Sequence, residues 1–126
     1  INIFFIEMAA HNELGEWGEE FATKHLVKND YEILERNWRF QKAEIDIIAK
    51  KNDEIIIVEV KTRNSDYFGD PQDFVTSGKI KLLTKAANEY LVSNEIALAA
   101  RFDIIAILKN KTTEKLDLFE NAFYHF

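Results

Sequence analysis

The sequence predicts one α/β domain, with elements in the order αβββαββ and a mixed central sheet flanked by helices. Three observations point there. The 126 residues are 47% hydrophobic and 30% charged, a globular balance at single-domain length. Two segments repeat apolar residues at helical spacing. Between and after them lie apolar runs of strand length, bounded by turn residues.

The first helix is expected over 12–28. Asn12 is a candidate N-cap, acids crowd the first turn, and Leu14, Trp17, Phe21, Ala22 and His25 share one face. Asn29-Asp30 ends it. Residues 31–40, YEILERNWRF, read as a strand, and 44–50 with 54–62 as a hairpin. Residues 64–73 hold a Gly and the only Pro and read as a loop. A second helix over 74–93 gathers Ile80, Leu83, Ala86, Ala87, Tyr90 and Leu91 on one face. Strands at 101–108 and 114–119 complete the order.

Residues 1–7, INIFFIE, precede the only methionine, Met8, and lack the basic segment of a secretory signal. They read as a non-native or upstream leader, which leaves 8–126 as the domain. There is no cysteine, hence no disulfide framework and no zinc-thiolate site. No apolar run is long enough to span a bilayer, so no membrane partner is expected. A cytoplasmic setting fits. The net charge of −6 argues against a protein that coats nucleic acid. The acidity concentrates in 7–32, with seven acids and two bases, whereas 35–63 carries seven bases and six acids. A local phosphate-facing surface is compatible with that distribution.

The hairpin EIDIIAKKNDEIIIVEVK, 44–61, carries the chemistry. A turn at Asn52-Asp53 sets Lys51 against Glu54, and the same register sets Asp46 against Glu59 and Glu44 against Lys61. Opposed residues share a face, with Cβ atoms roughly 4.5–5.5 Å apart. The other face pairs Ile45 with Val60, Ile47 with Val58 and Ala49 with Ile56, and reads as the core side. Opposed like charges destabilise a sheet, and a divalent cation between Asp46 and Glu59 would offset the repulsion. Lys61, two residues on, could orient an attacking water or stabilise developing charge. An ordinary cross-strand ion cluster of Glu44, Asp46, Glu59 and Lys61 fits the same residues, and the pattern by itself favours it.

Around this hairpin stand GEEFATKHL at 18–26, RNWR at 36–39, AEIDIIA at 43–49, VEVKTR at 58–63, RFDIIAI at 101–107 and NAF at 121–123. In order and spacing these pieces resemble the YraN-like family of predicted endonucleases. That family belongs to the PD-(D/E)XK superfamily and is related to archaeal Holliday junction resolvases. The resemblance implies a restriction-endonuclease-like core and a hydrolase of DNA phosphodiesters, with branched or structured DNA as substrate and Mg²⁺ or Mn²⁺ as cofactor. It implies Asp46, Glu59 and Lys61 as the catalytic set, aided by Glu19 on the first helix, with the Val60 carbonyl as a further metal ligand. Ala43 stands where the family has Gly, and Ile45 where the superfamily has Pro; neither change touches a ligand.

Glu19 flanks the apolar stripe of its helix, while Glu13, Glu16 and Glu20 face solvent. Its charge would also favour the helix dipole. Glu44 reads as a partner for Lys61. Arg36, Arg39, Arg63 and Lys79 are candidates for phosphate contact, with solvated surface as the plain reading. Trp38 could stack on a base, but packing is the commoner use. Asp103 is expected to anchor Arg101 or cap a strand end. RNA is not excluded as substrate, and a homodimer is allowed. The alternative to an enzyme is a non-catalytic nucleic-acid or protein interaction module that retains the fold.

Overall fold

A computed structural model describes residues 3–65 and 75–123, with side chains from residue 12 onward. The expected order holds: α1 (Ile3–Lys28), β1 (Glu32–Phe40), β2 (Ala43–Lys51), β3 (Glu54–Arg63), α2 (Ser77–Ser93), β4 (Ala99–Lys109) and β5 (Glu114–Phe119). The strands form one sheet in the order β1-β2-β3-β4-β5. β1, β2 and β3 meander antiparallel, β3 pairs with β4 in parallel, and β5 returns antiparallel. The parallel step demands a crossover, which α2 supplies.

Local chemistry sets the boundaries. The two turns of the meander place Gln41 and Asn52 in the left-handed region, at φ 54° and 55°. α1 ends where Asp30 turns left-handed at φ 69° and the Tyr31 N–H reaches back to the Leu26 carbonyl at 3.0 Å. α2 is capped by Thr76, whose hydroxyl accepts from the Lys79 N–H at 3.2 Å. It therefore begins at Ser77 rather than at 74. Asn12 caps nothing, because helical backbone already runs from Ile3 with no Gly or Pro to interrupt it before Gly15. Beyond residue 65, the loop expected over 64–73 lies outside the described residues.

Both sheet faces are buried. On one side Ala22, Leu26 and Tyr31 from α1 and its exit cover Ile47, Ala49, Ile56, Val58, Ile105 and Ile107. On the other, Val75, Ile80, Leu83, Ala86, Ala87 and Tyr90 cover Ala43, Ile45, Ile48, Ile55, Ile57 and Ile104. The expectation of a single core face on the hairpin is thus corrected. A sheet with a parallel step carries helices on both sides, and the run IIIV in β3 is its signature. Ile45 also lies across the sheet from Ile47, so side-chain alternation in β2 breaks at Asp46. Trp38 packs, stacked near Phe40 and edge-on to Tyr90.

Asp103 is fully buried and holds Arg101 through two bonds of 2.9 Å while accepting the Asn121 N–H at 3.0 Å. It is the expected anchor, and the pair raises the Arg101 pKa further above its already high value.

Candidate active site

The β2–β3 hairpin keeps its expected register at Lys51–Glu54, Ala49–Ile56 and Ile47–Val58. There the ladder stops, so Asp46 is not paired across from Glu59, nor Glu44 across from Lys61. The cause is a side chain. Asp46 Oδ2 accepts the Val60 N–H at 2.8 Å, where a continuing ladder would offer a backbone carbonyl. A carboxylate wedged between the strands parts them and opens a cleft at their ends.

Asp46 and Glu59 still share one electrostatic site. Burial first, and then the Glu59 charge, push the Asp46 pKa up to about 7, with Glu19 adding to the rise. The Val60 N–H and Lys79 act in the opposite sense. Glu59 is only 5% exposed and receives Lys79 Nζ at 2.7 Å from α2. Lys79 is therefore no free phosphate contact, because a buried Glu59 requires a counter-charge. The expected neutraliser, Lys61, is half-buried and has no ion pair among the described residues. Burial first and Lys79 second lower its pKa, while Glu59 and Asp46 pull it up.

Glu19 reaches the site because α1 lies close on β3. A Cβ at Gly18 would run into the Thr62 hydroxyl and stand 2.9 Å from Thr62 Cβ. Burial is the main cause of a raised Glu19 pKa, and Glu44 and Glu59 add to it. A cavity of about 130 Å³ is lined by Gly15, Glu19, Val60, Lys61, Thr62 and Arg63. A wider groove of about 630 Å³ adjoins it through Gly15 and Glu19, and Asn37, Arg39 and Glu44 line it too. A groove of similar volume along α2 holds no carboxylate.

The donor set is all oxygen. Among the described residues no three Asp, Glu or His side chains gather as a ready-made metal cluster. A half-buried and a buried carboxylate whose mutual repulsion raises one pKa, near a cavity with room for water, nevertheless fit magnesium, which binds through one or two carboxylates and retains several waters.

The model described as "Uncharacterised protein family UPF0102" matches residues 18–107. The chain belongs to this family. It is 58% identical to a UPF0102 protein of Flavobacterium psychrophilum over 119 residues, 94% of this chain and 100% of the relative. A UPF0102 protein of Christiangramia forsetii is 52% identical over 119 residues, and one of Flavobacterium johnsoniae 50% identical over 123, each again covering 94% of this chain and 100% of the relative. This is the family that the ordered motifs resemble. The match takes in Glu19, Asn37, Glu44, Asp46, Glu59, Val60, Lys61 and Arg63, while Gly15 of the cavity wall precedes it.

The remaining candidates of this UPF0102 chain lie at the rim. Arg63 is exposed and lines the smaller cavity. Arg36 bonds Glu20 and Arg39 bonds Glu44, both at 2.9 Å. Glu44 thus pairs with Arg39 instead of Lys61, because the parted strands carry Lys61 away. Both arginine pairs are at least one-third exposed, and ion pairs of that kind are weak. Asn37, between these arginines, was not singled out from the sequence. Its signal was an Asn inside a strand of basic and apolar residues, and it occupies the left-handed region at φ 51°. Among the described residues no helix is long and apolar enough to cross a membrane.

Proposed function

We propose that this protein is a Mg²⁺- or Mn²⁺-dependent endonuclease that hydrolyses phosphodiester bonds in DNA, with branched or structured DNA as its substrate. The observation behind this reading is the pairing of half-buried Asp46 with buried Glu59, with Asp46 pushed up to about 7 by burial and by Glu59, next in sequence to a cavity wall of Val60 and Lys61. Such a pair is costly without a cation and useful with one.

Asp46 and Glu59 would hold the cation, with the Val60 carbonyl as a third oxygen on family analogy. When bound, it neutralises phosphate charge and promotes ionisation of water. Lys61 orients the attacking water and stabilises the charge that develops on the phosphate oxygens. Its lowered pKa lets it surrender or recover a proton more readily than a free lysine. Glu19 closes the cleft from α1. Arg63 contacts the substrate backbone from the rim, and Arg36 and Arg39 join it by exchanging Glu20 and Glu44 for phosphate. A DNA substrate would fit a cytoplasmic setting, and a homodimer would present two clefts to a branch point.

A second reading keeps the fold as a non-catalytic interaction module. The Lys79–Glu59 bond of 2.7 Å favours it, since Glu59 already has a partner. Cleavage assays on branched, flapped, single-stranded and duplex DNA, and on RNA, with Mg²⁺ or Mn²⁺, separate the two. The enzyme reading expects cutting that Lys61→Ala reduces about a hundredfold. Binding without cutting, unchanged in Lys61→Ala, establishes the module. Cutting of RNA alone moves the substrate class.

A further inference from the structure

The geometry points to Asn37 as the positioning residue of this site, a single amide that ties Glu19 of α1 to Glu44 of β2. The inference deepens the metal-site reading and, for its functional consequence, rests on it. With its side-chain nitrogen turned toward the acids, the Asn37 amide donates to Glu44 Oε1 at 3.0 Å and to Glu19 Oε2 at 3.1 Å. The opposite orientation would set its oxygen against two carboxylates, so the hydrogen-bond network assigns this one.

Asparagine is suited to the position on two counts. Its backbone is left-handed at φ 51°, a conformation that few residues other than Gly, Asn and Asp adopt cheaply. Its NH₂ carries two donors, one for each acid. Gly has the backbone freedom without the donors, Asp has the freedom with the wrong charge, and Gln carries its donors one methylene farther from the backbone. The location adds a third argument. β1 pairs Arg36 with Ile47 and Trp38 with Ile45, which frames the Asn37–Asp46 step between them. There Ile45 and Ile47 fall on opposite sheet faces and the Asp46 carboxylate enters the β2–β3 gap. Asn37 stands where β2 redirects Asp46.

The clamp also answers an electrostatic problem. Glu19 and Glu44 repel, and each lies on a different element. Charge-assisted bonds from one neutral amide hold both carboxylates while adding no charge that would compete with a cation. Arg39 holds the second oxygen of Glu44 at 2.9 Å. Glu44 is thereby fixed from two sides, and Glu19 is fixed to it. Because these bonds are partly exposed, they contribute little stability; they set where the carboxylates stand.

Two substitutions separate side chain from backbone. Asn37→Gly retains left-handed freedom and removes the amide, whereas Asn37→Ala removes both. Mg²⁺ and Mn²⁺ affinities by calorimetry, with melting temperatures in chelator, give the first readout. Both variants should lose a few fold in affinity, because Glu19, whose charge acts on Asp46, is no longer held in place. Asn37→Ala alone should lose several degrees of melting temperature. Asn37→Gly in a Glu19→Gln background should lose nothing further. Unchanged affinity in Asn37→Gly beside a weakened Asn37→Ala would leave only a backbone role and overturn the clamp.

A second readout needs no metal. The Asn37 side-chain amide resonances should shift in Glu19→Gln and again in Glu44→Gln. If wild type binds neither cation, the metal-site reading fails, and these resonances alone decide the clamp. Resonances that ignore both substitutions overturn it.

Discussion

Replacing Lys79 by Met tests how the site is balanced without metal. Lys79 Nζ lies 2.7 Å from Glu59 Oε1, with side-chain exposures of 39% and 5%. Breaking a fully buried ion pair costs about 3–5 kcal/mol, and an exposed one about 0–1. A pair buried at one end falls between, at about 2 kcal/mol. For a chain of this length that corresponds to a melting temperature lower by roughly 5–10 °C. Met keeps the length and apolar stem, so the loss reports the charge. In saturating Mg²⁺ a cation held as proposed would take over the neutralisation of Glu59, and the deficit should shrink below about 1 kcal/mol. By linkage, Lys79→Met should bind the cation more tightly than wild type by the deficit in chelator minus the deficit that remains in Mg²⁺. Melting curves in chelator and in Mg²⁺, for both proteins, give all four numbers. Equal stability in chelator would show that Lys79 does not balance Glu59, and a deficit that metal leaves untouched would show that no cation replaces it.

Other outcomes follow from the same geometry. In chelator, stability should fall as pH rises from about 4 to 7, because the folded state holds the Asp46 proton up to about pH 7 while the unfolded chain releases it near the ordinary carboxylate value. The full effect is at most about 4 kcal/mol, and denaturant titrations at pH 5 and 8 should find it absent in Asp46→Asn. Gly18→Ala should cost about 1–3 kcal/mol by pushing α1 off Thr62, and Thr62→Ala should recover part of that loss in a double-mutant cycle. Asp103→Asn leaves Arg101 without its buried partner and should cost about 3 kcal/mol while leaving metal affinity unchanged, as thermal unfolding and calorimetry would show.

Much of the fold was legible because local chemistry and long-range packing agree. The Asn52-Asp53 turn and the apolar pairs beyond it fix the hairpin register as far as Ile47–Val58. What was hidden depends on partners distant in sequence. The parting of the strands at Asp46 needs a carboxylate to capture the Val60 N–H and an adjacent strand bent at Asn37, and neither is a matter of periodicity. The pairing of Glu59 with Lys79 joins residues twenty apart, and its only trace was the place of Lys79 beside the apolar face of α2. Arg36 and Arg39 read as unpaired bases until the fold brought Glu20 and Glu44 to them. The burial of both sheet faces did leave a local mark, since four consecutive β-branched residues at 55–58 have no polar side to offer.

We propose that Asp46 and Glu59 together hold one divalent cation. Calorimetric titration of Mg²⁺ and of Mn²⁺ into wild type, Asp46→Asn and Glu59→Gln tests it most directly. Wild type should show saturable binding at a single site, lost or weakened at least about tenfold in each variant. Three superimposable isotherms would contradict it.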